Sequence, residues 1–265
     1  MDSFRPPAVA GSFYPGTTEA LSRSVTSLLS SASSTEVSWQ PKALVVPHAG
    51  YPYSGPVAGA AYRLLEPWAS STVRVVVLGP VHRVPIRGLA LPTAAAFETP
   101  LGRVPVDPEA GALLTGLART HGEAHALEHS VEVQLPFLQT VLPAFRLIPL
   151  VVGEASVDQV VAVVDRLWGG RETLFVISTD LSHYLPYDRA VSVDARTASV
   201  VERLESVGRD DACGSVPLNG FLATARSRRM AIHRVALANS GDTAGDRSRV
   251  VGYGSWALVE ANHGA

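Results

Sequence analysis

Apolar residues in this chain follow two patterns. The first is the short, continuous run of β-branched and aliphatic residues expected of a strand buried on both faces. It occurs at residues 42–47, 73–78, 145–152 and 173–178, and further strands are predicted at 230–238 and 250–259, with shorter ones at 86–91 and 104–106. The second is helical spacing. It predicts helices at 17–31, where Thr17 opens the helix and Glu19 suits its N-terminus, and at 56–65, where Val57, Ala60, Ala61, Leu64 and Leu65 share a face. Further helices are predicted at 108–119, at 130–142 with Ser130 as N-cap, at 157–168 closed by Gly169-Gly170, at 187–207 and at 217–225. Leu135 and Leu138 are expected to face the core, with Pro136 kinking or tightening their helix. Strands alternating with helices, without repeat or linker, predict one three-layer α/β/α domain over residues 1–265.

Three of the buried runs end alike. VPHAGYPYSG delivers His48, VVVLGPVH delivers His82, and VISTDLSHY delivers Asp180 and His183. An open α/β sheet presents its functional groups at such strand ends, so these histidines can meet at one edge. Neutral imidazole is both a metal ligand and a base near neutral pH. The sole cysteine, Cys213, lies between two predicted helices. A thiolate with two imidazoles would make a three-ligand site with an open position, suited to zinc, copper or iron rather than magnesium or calcium. Asp180 could orient a histidine by accepting its second ring N–H. Glu128, His129 and Glu132 form a further cluster, in which His129 and Glu132, one helical turn apart, could face the same side. Phe13 and Tyr14 either pack on the surface or line a pocket; Tyr51 and Tyr53 could supply pocket contacts; Asp242 and Asp246, in a glycine-rich stretch, could line its rim or lie in a solvated turn. His121, His125, His233 and His263 have no such context and read as surface or structural residues.

Composition narrows the function classes. Hydrophobic residues make up 46% of the chain and charged residues 17%, with a net charge of -2, which disfavours disorder and an electrostatic nucleic-acid binder. One cysteine allows no intrachain disulfide. The N-terminus carries no apolar signal core and no run approaches the ~18 residues of a membrane helix. A cytoplasmic protein without membrane association is expected. There is no GxxxxGK[ST] phosphate loop, no GxSxG elbow and no CxxC pair.

The motifs RPPAVAGSFYP, VPHAGYPYSG, LGPVH, EHSVEVQLPF, STDLSHY, ACGSVP and NSGD occur in this order over nearly the whole chain. In them the sequence resembles the MEMO family, whose microbial members are also called AmmeMemoRadiSam system protein B. The resemblance implies a fold like that of the class III extradiol dioxygenases, with a central mixed sheet. Those enzymes hold iron(II) with two histidines and a glutamate. Here the resemblance implies His48, His82 and Cys213 as ligands, His183 in the place of the dioxygenase acid–base histidine, and Asp180 beside it. Phe13 stands where some members have tryptophan, and Thr179 where serine is common. The expected cofactor is iron(II) or copper, with zinc also open. The resemblance implies either a metal-dependent redox protein or a binding protein that uses the same pocket for a metal or peptide, since some members are described as adaptors for phosphotyrosine peptides. It also implies a pathway link to a radical SAM enzyme.

Overall fold

Every residue of the run Ala43–Val46 is buried, yet alternate side chains go to opposite sides. Leu44 and Val46 join one apolar cluster, and Ala43 and Val45 join another. The same alternation sends Val75 and Val77 one way and Val76 and Leu78 the other, and separates Leu174 and Val176 from Phe175 and Ile177. A period of two over runs that are apolar throughout gives a sheet with a core on each face. The structure, a computed structural model, describes residues 3–31, 37–243 and 246–260.

The elements run β1 (Phe4–Arg5), α1 (Thr18–Ser30), β2 (Ala43–Val46), α2 (Tyr51–Arg63), β3 (Arg74–Pro80), β4 (Leu89–Leu91), β5 (Ala96–Thr99), β6 (Gly102–Pro105), α3 (Ala110–Leu113) and β7 (Ala118–Thr120). They continue α4 (Gly122–Ala126), α5 (Leu135–Val141), β8 (Arg146–Val152), α6 (Val157–Leu167), β9 (Thr173–Ser178), β10 (His183–Leu185), α7 (Tyr187–Glu202), α8 (Ser215–Ser227), β11 (Ala231–Asn239), α9 (Ser240–Thr243) and β12 (Val250–Val259). Among the described residues the main sheet has nine strands in the order β10-β12-β2-β9-β3-β8-β4-β7, with β11 on β12. β2, β9, β3 and β8 are mutually parallel, whereas β12 runs antiparallel to β2, β10 and β11, and β4 runs antiparallel to β8 but parallel to β7, so the sheet is mixed. A small sheet, β1-β5-β6, lies apart from it.

Helices cover both faces. Leu21 and Val25 of α1, Ala58 and Tyr62 of α2 and Leu138 of α5 pack into one cluster. Val160 and Val164 of α6, Ala198 and Val201 of α7, and Leu218 and Phe221 of α8 pack into the other. The result is the three-layer α/β/α architecture. No helix among the described residues is long and apolar enough to cross a membrane.

Several expected elements differ in extent. The helix expected at 108–119 is a single turn, Ala110–Leu113. Gly116, at φ +78°, turns the chain in a conformation that side chains other than glycine's avoid, and β7 follows. The stretch 130–142 divides into a 3₁₀ turn at Glu132–Gln134 and α5, because Pro136 lacks an N–H and is most favourable in a helix's first turn, where it stands in α5. Ser130 is not a helix cap; its hydroxyl donates to the Pro80 carbonyl and pins the 128–130 loop to β3. α2 starts at Tyr51, earlier than the spacing indicated, with Pro52 in its first turn. α7 ends at Glu202, short of residue 207. His263 lies outside the described residues.

Candidate metal centre

The parallel strands β2, β9 and β3 lie side by side, with Val46 opposite Ser178 and Leu78 opposite Ile177. Their C-terminal ends therefore deliver His48, Ser178-Thr179-Asp180 and His82 to one edge. Cys213 arrives there from the turn before α8. That turn is docked by the Cys213 N–H on the Asp180 carbonyl (3.3 Å) and the Gly214 N–H on Thr179 Oγ1 (2.9 Å).

Hydrogen bonding decides how each imidazole is presented. The Ser178 hydroxyl must donate to the Ser130 carbonyl, 2.6 Å away, and it accepts from Gln134 Nε2 at 2.9 Å. Its one proton is thereby committed. Toward His48 Nδ1, 2.9 Å away, Ser178 can only accept, so His48 carries its proton on Nδ1 and leaves Nε2 bare. Nε2 faces Cys213 Sγ at 3.2 Å. Burial, reinforced by the neighbouring His82 and His129, pushes the His48 pKa well down and keeps the ring neutral.

His82 is held in the same sense. Glu128 accepts its backbone N–H at 2.5 Å and its Nδ1 at 2.9 Å. Burial works to raise the Glu128 pKa. The hydrogen bonds from His82 and Ser130 outweigh burial and bring it down to about 2. An ionised carboxylate only accepts, so His82 Nδ1 is the protonated nitrogen and Nε2 is free.

His48, His82 and Cys213 thus offer two bare imidazole nitrogens and one thiol, with ligand atoms all within 4.8 Å of one another. This donor set fits a soft or borderline transition-metal ion. Ligand atoms of His82, Glu128 and His129 also lie within 4.8 Å of one another. There, however, Glu128 Oε1 already accepts from His82 Nδ1 and from the N–H groups of His129 and Ser130, so its lone pairs are spent. The first set is the better cation site. Burial, then the nearby Asp180, pushes the Cys213 thiol up to about 12; the Asp180 N–H points at its sulfur from 3.3 Å.

Asp180 does not take a histidine ring proton, because Ser178 occupies His48 Nδ1. Its Oδ1 instead accepts the His48 backbone N–H at 2.8 Å and fixes the strand end, while its Oδ2 lies 3.9 Å from His48 Nε2. Burial raises its pKa to about 7. His183 opens β10 as a half-buried ring whose pKa burial lowers, with His82 acting in the same direction. His129 stacks on His82 with ring centres 4.6 Å apart and lies edge-on to His48 at 5.4 Å; Phe13 covers it at 4.9 Å. Those two residues form a wall of the cluster.

The other residues singled out from the sequence are placed elsewhere. His129 and Glu132 do not share a helix face. The Glu132 carboxylate is fully buried on the far side of its loop, where it receives Arg5, the Tyr14 hydroxyl (2.5 Å), and the N–H groups of Ala8 (2.8 Å) and Val9 (3.1 Å). Tyr14 is therefore core, as is Tyr51, whose hydroxyl donates to the Val133 carbonyl. Tyr53 is exposed at 42%. Asp242 accepts from the Tyr187 hydroxyl and the Asn239 N–H at the surface, and Asp246 accepts from Ser248 in a solvated turn. His125 is a core residue that bonds the Ala90 carbonyl. Sequence reasoning missed Ser178 and Gln134 altogether. It marked Glu128 only as a neighbour of His129, without its role as the partner of His82.

A family model described as "Memo-like protein" matches residues 5–257. The chain belongs to this family. A MEMO1 family protein of Ignicoccus hospitalis is 38% identical, covering 94% of this chain and 96% of its own length. One from Methanopyrus kandleri is 36% identical with the same coverage, and one from Aquifex aeolicus is 36% identical over 94% of this chain and 97% of its own. The Memo-like match spans all three candidate ligands as well as Ser178 and Glu128.

Proposed function

We propose that this Memo-like protein is a metal-dependent redox protein whose centre is His48, His82 and Cys213. The observation that carries the reading is that two independent hydrogen-bond networks, through Ser178 and through Glu128, both leave an imidazole Nε2 bare beside the same thiol. A purely structural pair of histidines has no need for this. A thiolate with two imidazoles favours copper or iron, and such an ion supplies electron transfer and oxygen chemistry when bound.

The protein's own groups do the rest. Ser178 and Glu128 hold the ring protons away from the cluster. Asp180 fixes the backbone of His48. Phe13 and His129 wall one side against water. His183, neutral through burial, stands ready to take or return a proton.

The test is elemental analysis of anaerobically purified protein, wild type beside Cys213→Ser and His82→Ala. Near-stoichiometric iron or copper in the wild type, lost in both variants, is the expected result. A metal-free wild type that also fails to take up iron(II) or copper(I) in titration would overturn the reading.

A further inference from the structure

Beside the cluster, His82 and Cys213 form part of the wall of an open groove of about 780 Å³. That volume falls within the range of roughly 300–1,000 Å³ typical of small-molecule sites. The groove is rimmed by Arg83, Arg87, Arg119 and Arg209, against a single carboxylate, Glu154.

This concentration of positive charge is local, since the whole chain carries a net charge of -2. Like charges repel, so four guanidinium groups around one concavity need an occupant of opposite sign to be at their most favourable. Their internal partners are few. Arg87 lies 3.9 Å from Glu154, both well exposed, a pairing of little strength. Arg119 donates to the Arg87 carbonyl at 2.8 Å, which aims it along the groove edge without neutralising it. Arg83 and Arg209 have no hydrogen bond or ion pair among the described residues. Arg83 lies near enough to His129 for its charge to help lower that residue's pKa. Ile86, Val216 and Pro217 add apolar contacts to this lining.

We propose that this groove binds a small organic anion, with a carboxylate or phosphate held by the arginines and an apolar body lying toward His82 and Cys213. The proposal deepens the metal-redox reading by naming the substrate class of that centre, and so rests on that reading for what the anion does there. Binding of the anion itself needs no ion.

The experiment is calorimetric titration of metal-free protein at low ionic strength with isophthalate, phenyl phosphate and benzyl alcohol. At least one anion should bind, more weakly as sodium chloride is raised, and the neutral alcohol should not; the preferred anion distinguishes a carboxylate from a phosphate ligand. Arg83→Ala/Arg209→Ala should weaken binding by about a hundredfold, on the order of tenfold for each charge-assisted hydrogen bond removed. Arg23→Ala, an exposed arginine of α1 outside the groove, should leave it unchanged. Absence of binding by both anions, equal binding of benzyl alcohol, or equal weakening by Arg23→Ala would overturn the proposal. Melting temperatures of the variants check that they fold. Metal content measured on the same preparations separates the two readings. Anion binding in a protein that takes up no metal leaves the groove standing and removes the redox reading; metal without anion binding does the reverse.

Discussion

Cys213 Sγ lies 3.2 Å from Nε2 of His48, although 165 positions separate them in the chain. The approach is meaningful because that nitrogen is the bare one. A ring of the opposite tautomer would present an N–H to the sulfur and could not ligate an ion beside it.

The tautomers are directly measurable. Nitrogen-15 spectra of histidine-labelled, metal-free protein should show His48 and His82 protonated on Nδ1. Ser178→Ala should leave the His48 proton without its acceptor and allow the other tautomer to appear, with His82 unaffected. Observing His48 protonated on Nε2 in the wild type would remove the basis for the site.

Two glutamates four residues apart should respond differently to the same change. Glu128→Gln leaves His82 without an ionised partner and should weaken metal binding by about ten- to a hundredfold, the usual cost of losing such a carboxylate. Glu132→Gln strips the charge partner from buried Arg5 and should cost about 3 kcal/mol of stability in urea denaturation while the folded fraction keeps its metal. Equal effects of both variants on metal affinity would contradict this division of labour.

Gly214 is a position where the backbone itself is the constraint. A Cβ there would lie 2.7 Å from the Ser178 carbonyl oxygen and from Thr179 Cβ, neither of which can move without shifting β9. Gly214→Ala is expected to displace Cys213, lowering both melting temperature and metal stoichiometry. An alanine variant with normal metal content would show that the turn tolerates more than its geometry suggests.

His125 should give the fold an acid-sensitive contribution. Burial lowers its pKa from 6.5 to about 4, so the folded state resists a proton that the unfolded chain accepts. The contribution is fully present above pH 6.5 and is lost as pH falls through about 4, amounting to about 3 kcal/mol. Denaturation midpoints should fall over that window, and His125→Gln, which can still donate to the Ala90 carbonyl, should flatten the slope. An unchanged slope would mean that other buried histidines set it.

Much of the architecture was legible because the strands are apolar throughout and the helices carry one apolar face. The strand-end histidines were legible for a related reason, since a buried run must stop where a polar side chain appears. What the sequence did not disclose was direction. Glu128 and Glu132 sit in one short stretch, and a helical reading gives Glu132 and His129 the wrong faces. Pro136 starts α5 late, the preceding residues form a loop and a 3₁₀ turn, and the two carboxylates point into different surroundings. Ser178 was hidden by its ordinariness: a serine at the end of a strand gains its role only from Ser130, Gln134 and His48 converging on one hydroxyl.

The separation of Cys213 from His48 also bears on how the protein is made. A chain synthesised from its N-terminus exposes His48 first, then His82, then Glu128 and Ser178 that orient them, and the sulfur only late. An ion captured early by the two imidazoles would meet an incomplete site, without the thiol that gives the set its softness. On the proposed reading, metal loading would be an event for the finished fold, and variants that slow docking of the turn before α8 should fail first in metal acquisition rather than in secondary structure.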